Sequence, residues 1–387
     1  MKRLFLFPLC VASLLLMLPV FISCDDDNGS DTDDAKEKVF AAIVEQYVNH
    51  TIIPTYKSLA DESIDLYEAL VTLKENKTDA NVRIATEKWI KARDYWELSE
   101  AFLFGPASDF SIDPHIDTWP LDKDLLDNEL GNALHIESMS GEDGDVWAGE
   151  TLGDAVLGFH GIEYVLFENG QPKEVNKISD KELIYAVAIA GDLRNSCFQL
   201  EASWAGIDKV TAEKREKLED LEANITVGGR GYSYGENMLS AGKAGSTYIS
   251  YADACADLIE GCSTIADEVG ALKIGNPYTG EDVNYIESPY SYNSKVDFVG
   301  NIKSIENAYL GGADATKRGA SISDYVKTVD SGLDTRIKAA INNAIAKIEA
   351  IPYPFAQNFT SSKAGEAMEA SNDLAGILEE ATATLNK

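Results

Sequence analysis

The sixteen residues VRIATEKWIKARDYWE, at positions 82–97, decide the fold class of this chain. Their apolar side chains recur at spacings of three and four, at Val82, Ala85, Trp89, Ala92 and Trp96. A helix has about 3.6 residues per turn, so this spacing puts all five on one face, where they can be buried against other helices. The same spacing recurs along most of the chain, and no alternating run typical of strands competes with it. The sequence therefore predicts an all-α protein.

Helix signals outside this stretch indicate how the chain is divided. About 350 residues follow the N-terminal region, which exceeds what one hydrophobic core usually holds, so we expect two helical-bundle domains. Their predicted bounds are 35–226 and 246–387, joined at 227–245 by a glycine-rich linker or ligand-facing loop that should not hold a helix. Ser179 and Ser361 have the sequence context of helix starts. Further helices are predicted over 152–168, 180–204, 209–223, 245–272, 295–310, 321–350 and 361–386.

A faint repeat suggests that the two bundles arose by internal duplication. Glu100 lies five residues before Gly105, and Glu306 lies five residues before Gly311, each at the end of an apolar helical pattern. Chance also produces such a match in a strongly helical protein, so both explanations stay open.

The N-terminus has the pattern of a bacterial lipoprotein signal peptide. Two basic residues precede an apolar stretch that ends at Ser23-Cys24. We therefore predict a signal peptide at 1–24, lipidation of Cys24 and an acidic, disordered tether at 25–34. A transmembrane anchor is disfavoured because the stretch is short and contains two prolines. The expected location is the outer membrane, on its periplasmic or cell-surface side.

The charge balance is strongly acidic, with 33 Lys and Arg against 65 Asp and Glu and a formal net charge of -32. Nucleic acids and anionic membrane surfaces require clustered Lys and Arg, so neither is an expected partner. The excess of carboxylates suits a protein that binds a cation, although solubility alone also explains it.

Three of the five cysteines, Cys197, Cys255 and Cys262, lie in the part predicted to fold. They permit at most one disulfide, because a seven-residue spacing on one helix separates Cys255 from Cys262 by about 10 Å and leaves Cys197 as the partner of either. No Cys-x-x-Cys pair occurs in the sequence. This disfavours thiolate zinc sites and c-type haem attachment.

The stretch Gly158-Phe159-His160-Gly161-Ile162-Glu163 contains the strongest candidate site. Residues three apart on a helix share one face, so His160 and Glu163 can reach one metal ion or one polar ligand. A structural hydrogen bond between the two side chains is the alternative. The flanking glycines leave room for close approach by a second element.

Other polar and aromatic residues are candidates for the same site. Arg93, Glu97 and Glu100 share a helix face at i, i+4 and i+7. Their alternative role is an ion-pair ladder on the protein surface. Two aspartates flank a Trp-Pro pair, and a later helix carries amides and an aspartate that can also serve as caps or braces. Tryptophans can line a pocket, although they are more often core. The predicted metal ligands are His160, Glu163, Glu97 and Glu100, and the other predicted ligand-binding residues are Arg93, Trp96, Asp117, Trp119, Asp122, Asn293, Asp297 and Asn301.

The order of these motifs resembles that of the imelysin-like family of bacterial periplasmic and surface proteins. The family signature GxHxxE is matched by Gly158, His160 and Glu163. The Trp-Pro-Leu-Asp block at 119–122 and the Asn-Ser-x-x-Asp-Phe block at 293–298 extend the resemblance over nearly all of the chain after the N-terminal region. The resemblance implies an all-α fold of two bundle-like domains, with the histidine motif near their junction.

Three hypotheses for the function follow. The first is a lipid-anchored, extracytoplasmic protein that binds iron, another divalent or trivalent metal, or a haem-like ligand, for uptake with other envelope proteins. The second is a metallopeptidase, a label that imelysin-like proteins carry, but none of the four histidines has the His-Glu-x-x-His spacing of zinc proteases. The third is a surface interaction module with a structural His–Glu pair. Carboxylates with a single histidine suit iron or a similar cation, which favours the first.

Overall fold

The computed structural model describes residues 30–229 and 231–385, which form a helical protein with one small hairpin, as the sequence predicts. The first ten α-helices are α1 (Ser30–Tyr47), α2 (Ile53–Glu75), α3 (Asp79–Glu97), α4 (Pro106–Asp109), α5 (Ile112–Asp117), α6 (Lys123–Gly131), α7 (Ala133–Met139), α8 (Gly144–Thr151), α9 (Gly158–Leu166) and α10 (Asp180–Ala205). The hairpin strands between the last two of these are β1 (Phe167–Glu168) and β2 (Gln171–Pro172). The remaining helices are α11 (Ala212–Asp220), α12 (Tyr234–Leu239), α13 (Tyr251–Asp267), α14 (Gly275–Thr279), α15 (Ser294–Leu310), α16 (Ile322–Val329), α17 (Ser331–Glu349), α18 (Phe355–Asn358) and α19 (Ser362–Thr382).

The first helix begins earlier than predicted. α1 starts at Ser30, inside the segment 25–34 that the sequence predicts as a tether, and ends at Tyr47. The predicted signal peptide at 1–24, the lipidated Cys24 and tether residues 25–29 lie outside the described residues. Among the described helices, none combines the length and the apolar run needed to cross a bilayer.

Local capping explains where two predicted helices begin. Ser179 Oγ accepts a hydrogen bond from the N–H of Glu182 at 3.2 Å, and the Glu182 carboxylate accepts from the N–H of Ser179 at 2.7 Å. This reciprocal pair is a capping box and fixes the start of α10. Ser361 caps α19 through its hydroxyl, which accepts from the N–H of Ala364. Both predicted starts are confirmed.

The helix predicted over 152–168 is shorter in the structure. α9 begins only at Gly158 and gives way to β1, which pairs with β2 in antiparallel fashion. The turn residues Asn169 and Gly170 have φ of 52° and 74°, as a tight hairpin turn requires. The N–H of Gly170 donates to the carbonyl of Tyr290 at 2.8 Å. The hairpin therefore fixes the end of α9 against the loop that precedes α15.

α3 connects the two groups of packed helices. In the N-terminal half α2 packs against α3 and α10, and in the C-terminal half α13, α15, α17 and α19 pack together. α3 also contacts α15, and the 3-10 turn that follows it, Glu100–Phe102, contacts α13 and α15. Trp89 and Trp96 are fully buried on the inner face of α3, as the opening stretch predicts. The boundaries of the two predicted domains, and their duplication, stay predictions.

The segment predicted as a linker contains a short helix, so the expectation that its glycines exclude one is wrong. α12 lies within 227–245, and Ser233 caps it by accepting the N–H of Glu236. Gly235 serves close packing here, because a Cβ at this position would lie 2.4 Å from the carbonyl oxygen of Trp204. Tertiary contact with α10 therefore outweighs the low helix propensity of glycine.

The cysteines of the described region are free thiols, and all three are buried. Burial raises the pKa of Cys197 and of Cys262 to about 12, and it raises the pKa of Cys255 further. A thiol of this kind is a weak nucleophile and behaves as a small apolar side chain.

Candidate metal centre

Gly158 brings two parts of the predicted site together. Its φ is 65°, and a Cβ built on it would lie 1.9 Å from the carbonyl oxygen of Ile116, at the end of α5. Only glycine permits this approach of α9 to α5. The contact places Asp117 beside His160, two residues that are 43 positions apart in the sequence.

His160 lies between two carboxylates. Its Nδ1 is 3.1 Å from Glu163 Oε2, and its Nε2 is 3.1 Å from Asp117 Oδ1. The Nε2 contact lacks the alignment of a hydrogen bond. Burial opposes the imidazolium charge, but the carboxylates of Asp117 and Glu163 outweigh it and raise the pKa of His160 to about 9.

Glu163 lies between His160 and the loop that precedes α15. Its Oε1 accepts hydrogen bonds from the N–H of Tyr290 at 2.9 Å and from the N–H and hydroxyl of Ser291 at 2.7 and 2.8 Å. Its other oxygen faces His160, so both oxygens have partners within the protein. We predicted Glu163 as a metal ligand; the geometry instead favours a residue that orients the imidazole.

Arg93, on α3, is fully buried and surrounded by four carboxylates. Its Nη2 lies 2.5 Å from Glu97 Oε1 and 2.6 Å from Glu287 Oε1. Its Nη1 pairs with Asp117, and its Nε lies 4.0 Å from Asp297 Oδ1. The predicted i, i+4 contact is therefore formed, but in the interior and not as a ladder on the surface.

Lys273 and Glu287 belong to the cluster and were not among the predicted site residues. Lys273 lies in a π-helical segment, Glu268–Ile274, and its Nζ is 3.1 Å from Glu287 Oε1 and 3.7 Å from Glu100 Oε1. Both side chains are fully buried. Lys273 has no local signal in the sequence, because one lysine in a helical pattern is normally a surface residue.

Of three predicted residues in or just before the first half of α15, Asp297 belongs to the carboxylates of the cluster, and Asn293 and Asn301 brace them. Asp297 accepts hydrogen bonds from the hydroxyl of Ser288 and the amide of Asn293, both at 2.6 Å. The amide of Asn301 donates to Glu97 Oε2. Burial raises the pKa of Asp297 to about 6, although Arg93 opposes the shift. The structure thus brings this group to the cluster mainly as hydrogen-bonding partners.

The remaining predicted residues divide into two sets. Trp96 is buried, and its Nε1 donates to Asp117 Oδ2 at 2.7 Å. Trp119 is half-buried, with its ring centroid 6.0 Å from that of His160. Asp122 is exposed and caps α6 by accepting the N–H of Leu125, so the structure does not bring it to the cluster. Its side chain satisfies the start of a helix instead.

The cluster contains more carboxylates than cations. Burial raises the pKa of Glu97 and Glu100 well above the ordinary range, against the effect of Arg93 and Lys273. In the described part of the chain, His160 Nε2, Glu97 Oε1 and Glu287 Oε2 are buried without an aligned hydrogen bond. The buried acids are Glu97, Glu100, Asp117, Glu163, Glu287 and Asp297, and the buried bases are Arg93, His160 and Lys273.

Two overlapping sets of side chains are spaced to hold a cation. In each set, one potential ligand atom from every residue lies within 4.8 Å of the others. One set, which we call the inner position, is formed by Asp117, His160 and Glu287. The other, which we call the outer position, is formed by Glu97, Glu100 and Asp117. Carboxylate oxygens with at most one imidazole match the preferences of iron and of other hard to borderline cations.

The cluster opens to solvent through an acidic cleft. A cavity of about 240 Å³ lies against Asp117, Trp119 and Tyr285. It adjoins a larger cleft of about 590 Å³ beside α13. The residues that line both are Glu100, Leu103, Asp113, Pro114 and Glu268.

We predict that Asp113→Asn stabilises the metal-free protein at alkaline pH. Burial, and then repulsion from Asp117 and Glu268, raises the pKa of Asp113 from 3.8 to about 7. The native state therefore keeps a proton that the unfolded state releases, so this group lowers stability as the pH rises through that range. Asparagine carries no charge, and we expect a gain of about 1–2 kcal/mol in unfolding free energy at about pH 8. Denaturant unfolding in EDTA measures it, and an equal gain at about pH 4 would contradict it.

These features define a class: an all-α protein with a buried histidine–carboxylate centre where its two groups of helices meet. The family model of imelysin matches residues 52–385. The chain therefore belongs to the imelysin family, as the GxHxxE motif and its flanking blocks indicated.

Relatives and solved structures agree with this membership. Iron-regulated protein A of Synechococcus elongatus is 26% identical over 320 residues, which cover 83% of this chain and 78% of that protein. A crystal structure from Parabacteroides distasonis, assigned as an iron-regulated protein A precursor, is 27% identical with a TM-score of 0.77 and covers 90% of this chain and 95% of its own. An imelysin-like protein from Psychrobacter arcticum shares the fold, with a TM-score of 0.63 at 11% identity over 90% and 96% of the two chains.

Proposed function

We propose that this protein binds iron outside the cytoplasm, at the buried histidine–carboxylate centre. The names of two relatives connect them with iron regulation, which supports an iron-related role. The observation that carries the proposal is the excess of buried carboxylates, together with a histidine nitrogen that has no aligned hydrogen bond. Buried carboxylates are costly to keep ionised unless a cation balances them, and a metal ion that replaces their protons provides that balance.

The inner position supplies the ligands in this proposal. Asp117 and Glu287 offer hard oxygen atoms, and His160 offers one nitrogen. Glu163 orients the imidazole, as a carboxylate commonly does for a metal-binding histidine. Arg93 and Lys273 hold the acids in place and balance part of their charge.

A metal ion fits the space better than a haem-like ligand does. The cavity at the centre measures about 240 Å³ and opens into the acidic cleft. Its walls carry several carboxylates, which would repel the propionates of haem. We therefore assign the free cation as the ligand.

The location proposed for this function is the cell envelope. The sequence of residues 1–24 supports a lipoprotein signal with Cys24 as the lipidated residue. A lipid anchor in the outer membrane would place the protein where it can take up iron for other envelope proteins. Radiolabelled palmitate incorporation, compared between the native chain and Cys24→Ser, tests the anchor.

We predict that His160→Ala weakens Fe²⁺ binding by at least about 100-fold, because it removes the sole nitrogen ligand of the inner position. Glu163→Gln should weaken binding by about 10–100-fold, because an amide in place of the carboxylate no longer fixes the imidazole tautomer. Anaerobic calorimetric titration with Fe²⁺ measures both affinities.

His50→Ala is the matched control, since His50 is exposed and lies away from the cluster in the π-helical segment between α1 and α2. It should bind Fe²⁺ like the native chain. If His160→Ala folds and binds with native affinity, the proposed site is wrong. Chelator-sensitive cleavage of a peptide library by the native chain, abolished in His160→Ala, would instead support the metallopeptidase hypothesis.

A further inference from the structure

Glu100 is a buried carboxylate that faces open space. Its side chain is 3% exposed, and its carboxylate is influenced by burial and by nearby charges, with no hydrogen bond from a side chain in the described ranges. The nearest cationic atom is Lys273 Nζ at 3.7 Å. Glu100 also lines both the small cavity and the larger cleft. A nearly buried acid that borders open space and has no hydrogen-bond donor of its own is available to a ligand from the cleft.

The carboxyl side chains that line the cleft are not matched by basic ones. Neither the small cavity nor the larger cleft is lined by a Lys, Arg or His among the described residues. A narrow acidic groove between low-dielectric walls raises the local concentration of cations and lowers that of anions. The acids that line it are Glu100, Asp113, Asp257, Glu260 and Glu268.

The cleft is built by close packing of α13 against the 3-10 turn that carries Glu100. A Cβ at Gly261 would lie 2.3 Å from the carbonyl oxygen of Ala101, so only glycine allows this approach. The N–H of Ala101 donates a hydrogen bond to Ser304 Oγ at 3.0 Å, which fixes the turn on its other side. The turn is therefore held rigidly from both sides, and Glu100 has a fixed place at the base of the cleft.

The outer position connects this cleft with the inner one. Glu97, Glu100 and Asp117 form the outer set, and Asp117 is also a member of the inner set. A cation that passes from one set to the other can keep Asp117 as a ligand throughout. Because one ligand is shared, the cation can lose its hydration shell in stages, and it avoids the higher cost of losing all its water at once.

We propose that a free, hydrated cation enters through this acidic cleft and is first bound at the outer position by Glu100, Glu97 and Asp117, before it passes to the inner position. This proposal rests on the function proposed above and specifies its substrate as the uncomplexed cation. An anionic iron chelate is repelled by the same field that attracts the bare ion. The outer position thus favours a positively charged ligand over an anionic chelate before His160 contributes to the binding affinity.

Stopped-flow mixing with anaerobic Fe²⁺, followed by tryptophan fluorescence, tests the proposal through Glu100→Gln. We expect the association rate constant to fall about tenfold, because an amide replaces the carboxylate that makes the first contact with the cation. The slow-binding variant should still reach tight binding at equilibrium. The rim variant Asp257→Asn/Glu260→Gln should lower the rate at low salt only, and it keeps the test possible if Glu100→Gln does not fold.

The matched control is Glu379→Gln, an exposed acid on α19 that should leave the rate unchanged. His160→Ala should retain weak, rapidly exchanging Fe²⁺ binding, and His160→Ala/Glu100→Gln should lose it. Ferric citrate should associate with the native chain far more slowly than Fe²⁺. If Glu100→Gln and the rim variant both bind at the native rate while His160→Ala loses tight binding, the outer position is overturned and the iron site stands. If His160→Ala keeps native affinity, the iron site itself is overturned.

Discussion

Gly158→Ala is expected to lower the unfolding free energy by about 3 kcal/mol or more and to abolish metal binding. The φ of this residue is 65°, which costs an alanine about 1 kcal/mol. The larger part of the loss comes from the clash, because the added Cβ would lie 1.9 Å from the carbonyl oxygen of Ile116 and 2.6 Å from its Cα. Both are backbone atoms, so neither can rotate away.

The clash has a specific consequence for the centre. Ile116 precedes Asp117, and displacement of α5 from α9 would separate Asp117 from His160. Thermal unfolding and Fe²⁺ titration of the same preparation measure the two effects together. A Gly158→Ala protein with native stability and native affinity would show that the approach of these two helices does not fix the site.

The control for Gly158→Ala is Gly376→Ala. Gly376 lies within α19, is exposed, and has no atom within 4 Å of an added Cβ. Alanine favours the helix at such a position, so we expect stabilisation by about 0.5–1 kcal/mol. Gly158→Ala should lower the unfolding free energy and Gly376→Ala should raise it. This difference would show that the loss at Gly158 comes from its position in the structure and not from the replacement of glycine by alanine as such.

Arg93→Met is expected to destabilise the metal-free protein by about 3–5 kcal/mol at neutral pH, because it leaves four buried carboxylates without their guanidinium. The loss should become smaller as the pH falls. Burial already raises the pKa of Glu97 and Asp297, and Arg93 opposes that rise. Without Arg93 the native pKa of these two acids rises further above the unfolded value, so the native state binds more protons than the unfolded state and regains stability towards acid. Denaturant unfolding between about pH 5 and pH 8 in EDTA measures the trend.

A second substitution distinguishes charge from packing. Arg93→Met/Asp297→Asn removes one of the stranded acids and should recover part of the lost stability. Arg336→Met is the control, because Arg336 pairs with Glu380 on the exposed faces of α17 and α19 and should show no measurable loss. A loss for Arg93→Met that is independent of pH and unaffected by Asp297→Asn would indicate that the hydrocarbon stem, and not the charge, holds the cluster.

The helices could be predicted from sequence because their signals are local. Trp89 and Trp96 mark a buried face by their spacing alone, and Ser179 with Glu182 forms the capping box that its sequence indicates. The expectation that 227–245 holds no helix was wrong because the deciding contact is not local. Gly235 permits contact with a distant helix, and that contact outweighs the local preference against a helix.

The site could be predicted only in part. The spacing of His160 and Glu163 predicts that they meet, and they do at 3.1 Å. It does not predict that the N–H groups of Tyr290 and Ser291 donate hydrogen bonds to the other carboxylate oxygen of Glu163. Asp122 had the same sequence features as Asp117, yet only Asp117 reaches the cluster, because Asp122 is used as a helix cap.

The sequence by itself determined that this chain is helical, that its acids far outnumber its bases, and that a histidine and a glutamate share one helical turn. Only the tertiary structure decided that Arg93 meets Glu287 across 194 positions and that Lys273 joins them. The physical reason is that helical period and capping act over a few residues, whereas the balance of buried charge depends on which distant side chains the packed helices bring together.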